Sequence, residues 1–169
     1  MGEKTSISKS MIPMDPISQM PSLVPELTVT NLKESLRFYL EVLGFRLEYE
    51  RTEDKFASVR LEKSWIMLEE AESLGAADDR EFVGQREWRT GRLEYPFGRG
   101  INFQIMVEDA AACCRSVLNQ SYPIKAPLEE RWYRVGDRSI GVRQFLLMDP
   151  DGYLLRIQQD IGVRSIVVV

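Results

Sequence analysis

Histidine is absent from all 169 residues. Imidazole-ligated metal sites and histidine acid–base chemistry are therefore excluded from this chain. Cysteine is nearly absent: Cys113 and Cys114 are neighbours in a helix-like segment, where adjacent side chains diverge and form no easy disulfide. They read as small packing residues in a reducing compartment, and two thiols are too few for a typical metal site. No apolar run reaches the length of a membrane span, and the N-terminus lacks a signal peptide's hydrophobic region, so the expected location is the cytoplasm. A basic excess is missing as well. Lys and Arg number 22 against 26 Asp and Glu, a net charge of −4, which argues against nucleic acid as the main partner. Cationic or neutral ligands are easier to accommodate.

What is present is a pattern that occurs twice. Residues 1–21, rich in Ser and Pro and without sustained period, read as a mobile tail. The opening Met-Gly-Glu-Lys-Thr-Ser matches an N-myristoylation pattern too short to carry weight alone. Residues 24–29 alternate as a strand, with Leu27 and Val29 on its dry face. Asn31 stands at a helix N-cap with Glu34 three residues on, Leu32, Leu36, Tyr39, Leu40 and Leu43 form an apolar stripe, and Gly44 closes the helix. Strands at 45–51, 56–61 and 64–69 complete a βαβββ unit over 22–69.

Residues 70–99 change character and read as a linker whose aromatics, Trp88, Tyr95 and Phe97, cover an opening. The order of elements then recurs over 100–160: a strand at 100–107, an N-cap at Asp109, a helix to about Gln120 stopped by Pro123, and strands at 124–126, 131–136, 142–148 and 153–159. Asp149-Pro150-Asp151-Gly152 is a strong turn signal. A short tail, 161–169, ends in Ile166-Val167-Val168-Val169, a segment able to add a strand to a partner. The repeat is offset by roughly eighty residues, weak in identity and strong in order.

On Val29-Thr30-Asn31-Leu32 with Ser35, Phe38-Tyr39, Leu43-Gly44-Phe45, Val107-Glu108-Asp109 and Asp149-Pro150-Asp151-Gly152-Tyr153, the sequence resembles the vicinal oxygen chelate superfamily. That superfamily includes glyoxalase I, extradiol dioxygenases, fosfomycin-resistance enzymes and bleomycin-resistance proteins, and this chain looks most like the last branch. The resemblance implies an α+β fold of two tandem βαβββ modules whose curled mixed sheets form a cleft, and a homodimer, with exchange of first strands left open. In the enzymes a divalent metal sits in the cleft on a His from the first strand of each module and a Glu from the last. The matching positions here are Val24, Gly100 and Arg156, none of which can serve, so no metal or other cofactor is expected. A carboxylate-only Mg²⁺ or Mn²⁺ site around Glu26 and Glu69 stays open.

By alternation, Val24, Glu26, Thr28, Gly100, Asn102, Gln104 and Arg156 face the cleft. Glu26 and Arg156 either pair with each other or hold a ligand's charged groups, with Asn102 and Gln104 supplying hydrogen bonds; a structural ion pair and ordinary buried amides are the plain alternative. Phe56, with Trp132 or Tyr133, matches the rings on which a bleomycin-like ligand stacks, against the alternative that they are core packing. The resemblance therefore implies a metal-free protein sequestering a drug or metabolite in a cleft at a dimer interface. The competing reading is a glyoxalase-like lyase, isomerase or other enzyme of the superfamily, working with a carboxylate-only metal or none.

Overall fold

The computed structural model describes residues 19–71 and 91–165. Within them the chain runs β1 (Glu26–Val29), α1 (Leu32–Arg37), a π-helical turn (Phe38–Val42), β2 (Arg46–Arg51), β3 (Phe56–Leu61) and β4 (Ser64–Glu70). It continues as β5 (Asn102–Met106), α2 (Ala110–Asn119), β6 (Ala126–Val135), β7 (Arg138–Met148) and β8 (Leu154–Ser165). Two four-stranded mixed sheets result, ordered β1-β4-β3-β2 and β5-β8-β7-β6. The first strand of each half pairs in parallel with the last, and the other pairings are antiparallel.

The caps form as the local sequence dictates. Asn31 Oδ1 accepts the Glu34 N–H at 3.0 Å, and Asp109 Oδ1 accepts that of Ala112 at 2.9 Å. Beyond Arg37 the first helix widens into the π turn, closed by the Phe45 N–H on the Tyr39 carbonyl at 2.9 Å and by Gly44 at φ +78°. That widening corrects the expected stripe. Phe38, Tyr39 and Val42 are buried, whereas Leu32, Leu36 and Leu40 pack half-buried around them. The helices and one face of each sheet share a single core, in which Val29, Val59 and Leu68 of the first sheet join Phe145, Leu155 and Ile157 of the second.

Polar bonds to the Asp149–Gly152 turn and to Tyr153 just after it tie the halves together. The Tyr39 hydroxyl donates to Asp149 Oδ2 at 2.9 Å, the Thr30 N–H to Asp151 Oδ1 at 3.0 Å, and the Tyr153 hydroxyl to the Thr28 carbonyl at 3.1 Å. Asp149 and Asp151 are each only 2% exposed.

Several expected boundaries move. The first strand begins at Glu26 and the fifth at Asn102, so Val24 and Gly100 lie outside strands. The separate strands expected at 124–126 and 131–136 are one, β6, with a register irregularity between Ala126 and Glu129. Residues 161–165, expected in a tail, continue β8, because Gly162 pairs with Gly141 and Val163 with Ile140 across to β7. Of the expected linker, Phe97 is a core residue and Tyr95 is exposed. Trp88, most of the N-terminal tail and 166–169 fall outside the described residues.

Candidate functional site

Each sheet has a face turned away from its helix, and strand register defines what that face carries. On the first sheet Glu26, Met67, Ser58 and Tyr49 form one row across the four strands, and Thr28, Glu69, Phe56 and Arg51 the next. Phe56 is not an open ring. It is 3% exposed, with Tyr49 stacked at 5.9 Å between centroids and the Arg51 guanidinium 3.8 Å above it. The Ser58 hydroxyl is buried without a partner among the described residues. Among those residues the Glu26 carboxylate meets no cation, so the ion pair between Glu26 and Arg156 is not formed.

The second sheet carries the amides. Met106, Gln158, Gln144 and Glu129 make one row, and Gln104, Arg156, Leu146 and Ala126 the next; Asn102, Leu154 and Met148 follow. Gln144 Nε2 donates to the Tyr133 hydroxyl at 3.1 Å and to Glu129 Oε1 at 3.2 Å, while its own Oε1 is buried with no partner among the described residues. The hydrogen bond from Arg131, then that from Gln144, holds the Glu129 carboxyl below its usual range. Gln158 is buried, with its amide against Met106 Sδ. Arg156 donates through Nη2 to Gln104 Oε1, and its Nε is buried with no partner among the described residues. Gln104 also borders a groove of about 340 Å³ shared with Leu23, Pro25, Trp65 and Phe103, where the halves adjoin.

Register thus brings Asn102, Gln104, Arg156 and Tyr133 to one face, and Glu26, Thr28 and Phe56 to the corresponding face of the first sheet. Trp132 is separated from them. It points to the side opposite Tyr133, over Gly141 and Ile161, with the Arg164 guanidinium 3.5 Å from its ring. Sequence reasoning missed Glu129, Gln144 and Gln158. The signal for Gln158 was its place two residues beyond Arg156; the parity of β6 and β7 relative to β8 had no local marker.

The metal site of the enzymatic relatives does not fit these residues. Val24 and Gly100 offer no donor side chain, and Arg156 places a permanent cation where a ligand would stand. Glu26 pairs with Met67 and Glu69 with Thr28, so those two carboxylates are offset diagonally. No third donor joins them, since no group of three His, Cys, Asp or Glu able to hold a metal gathers among the described residues.

Two βαβββ halves, each with a parallel closing strand and an open polar face, define a known class. A family model for the glyoxalase/bleomycin resistance protein/dioxygenase superfamily matches residues 20–157, and the chain belongs to that superfamily. Its members generally bind small molecules and often form dimers. Among solved structures, TioX from Micromonospora sp. ML1 is similar over 82% of this chain and 98% of its own, at 17% identity and a TM-score of 0.60. A virulence protein from Salmonella typhimurium matches over 80% and 93%, at 21% identity and a TM-score of 0.56. Lactoylglutathione lyase from Agrobacterium tumefaciens matches over 82% and 94%, at 14% identity and a TM-score of 0.52. At such identities the likeness is one of fold. No curated protein matches the chain.

Proposed function

We propose that this protein is a metal-independent small-molecule binder of the sequestering kind that bleomycin-resistance proteins represent in its superfamily. It holds a drug or metabolite against the open faces of its sheets. The observation that carries this reading is the buried Gln144 Oε1, without a partner among the described residues, within the Tyr133–Gln144–Glu129 cluster, since a buried polar atom costs about 1–3 kcal/mol until something satisfies it. The donor set at the metal positions supports binding over metal-assisted lyase chemistry. Of the proposed stacking rings, Tyr133 alone lies uncovered on the open face, at 44% exposure, so recognition rests on hydrogen bonding more than on a ring sandwich.

The acting form in this proposal is a cytoplasmic homodimer. Tyr133, Ile140 and Val163 form an exposed apolar row across β6, β7 and β8, a surface of the kind that a second copy covers. The free thiols Cys113 and Cys114 suit a reducing compartment.

Affinity-selection mass spectrometry with a metabolite and antibiotic library that includes metal-free bleomycin tests the reading. The wild type is expected to retain a compound that Gln144→Leu releases. Turnover of a glutathione hemithioacetal, with or without added divalent metal, would overturn it.

A further inference from the structure

The chemistry at the centre of the second sheet narrows the ligand class, an inference that rests on the binding reading above. Arg156 lies between Gln104 of β5 and Leu146 of β7. A guanidinium carries five N–H donors and one fixed positive charge. Among the described residues a single neutral acceptor, Gln104 Oε1, takes one of them, Nε is buried without a partner, and no carboxylate pairs with the group. The acidic groups on the same face are engaged elsewhere. Glu129 is held by Arg131 at 3.0 Å, and Asp160 Oδ1 accepts the Gly162 N–H at 2.8 Å.

The rows next to Arg156 differ in kind. On one side stand Gln158 and Gln144; on the other Leu154 and Met148, half-buried like Leu146 beside the arginine. An unpaired cation with an amide row on one flank and an aliphatic patch on the other matches an anion carried on an apolar body.

We propose that Arg156 receives the oxyanion group of an amphipathic organic acid, a carboxylate or a phosphate monoester, which replaces Gln104 as acceptor while its apolar part lies on Leu146, Leu154 and Met148. A planar guanidinium meets either oxyanion through two parallel N–H···O bonds, which a lysine or a neutral amide cannot reproduce. The local charge thus reverses the preference for cationic or neutral ligands that the net charge of −4 suggests.

Calorimetric titration with naphthoate, naphthyl phosphate, naphthamide and naphthylmethylammonium, with the Arg156 Nε–H resonance followed in parallel, tests this. At least one of the two anions is expected to saturate, to move that resonance and to bind about tenfold or more tighter than the amide. Arg156→Gln should remove that advantage and Arg156→Lys restore only part of it. The tighter of the two anions identifies the group. Should Arg156→Gln melt abnormally, the Lys variant and the wild-type resonance carry the test. Equal binding of the amide or the ammonium, or an unmoved resonance, overturns the anion assignment and leaves the binding function standing. No binding by any probe, with no compound retained in the affinity selection, overturns both.

Discussion

Asp149 supplies the sharpest test of how the two halves are joined. Its carboxyl is shut away from water, and that burial, with the nearby charge of Asp151, pushes its pKa up to about 6 from the usual 3.8. The opposing pull of the Tyr153 N–H at 2.8 Å, the Tyr39 hydroxyl at 2.9 Å and the Asp151 N–H at 3.1 Å is too weak to cancel it. Between about pH 4 and pH 6 the folded protein holds a proton that the unfolded chain has lost, so stability falls as pH rises through this window. A carboxyl raised from 3.8 to about 6 makes that loss on the order of 3 kcal/mol, complete above about pH 6. Asp149→Asn keeps an acceptor for the two N–H groups and removes the titration. Urea melts at half-unit steps from pH 4 to 7 should show the wild type losing stability relative to the Asn variant as pH rises. Tyr39→Phe has the opposite sign, because it strips a hydrogen bond from the ionised form. It should cost about 2 kcal/mol at pH 7, roughly 4–8 °C in Tm, and move the window to higher pH. Parallel pH profiles for wild type and Asp149→Asn would refute the reasoning.

Two further outcomes follow from the same structure. Gly152 has φ +90°, and an added Cβ would stand 2.5 Å from Pro96 Cβ and 2.6 Å from its Cα; at Gly136, φ +63°, a Cβ meets nothing within 4 Å. Gly152→Ala should therefore cost about 3 kcal/mol by urea unfolding and Gly136→Ala about 1, and equal losses would mean that the clash is not felt. Burial, with smaller contributions from Cys114 and Asp109, lifts the Cys113 thiol to about 11, and burial raises Cys114 as well. Iodoacetamide at pH 8 should label both slowly in the native protein and rapidly in urea, and fast native labelling would contradict this environment.

The parts of this fold legible in the sequence are those governed by near neighbours. Asn31, Asp109 and Gly44 act within a few residues, and each does what its type predicts. Alternation likewise sorted Leu27 from Glu26 and Ile105 from Gln104, because the period of a strand is independent of its partners. The π turn at 38–42 was not legible, since its register is set by where Phe38, Tyr39 and Val42 must reach into the core. Asp149-Pro150-Asp151-Gly152 was readable as a turn, and the Gly152 N–H does close onto the Asp149 carbonyl at 3.0 Å. That its carboxylates bind Tyr39 and Thr30, more than a hundred residues earlier, depends on the pairing of the halves.

The same division explains the candidate site. Alternation assigns a residue to a face but not to a row, and a site consists of rows. Trp132 and Tyr133 were interchangeable until the irregularity between Ala126 and Glu129 fixed the parity of β6, which turned Tyr133 toward Gln144 and Trp132 over Gly141. Arg156 was visible as a cation where relatives of the enzymatic branches place a metal ligand. Its consequence depends on what stands beside it. Had register set a carboxylate next to Arg156, the pair would be a sheet-stabilising ion bridge. With Gln104 and Leu146 there instead, the charge stays uncompensated, and an uncompensated guanidinium on an open sheet face is most stable with an oxyanion against it.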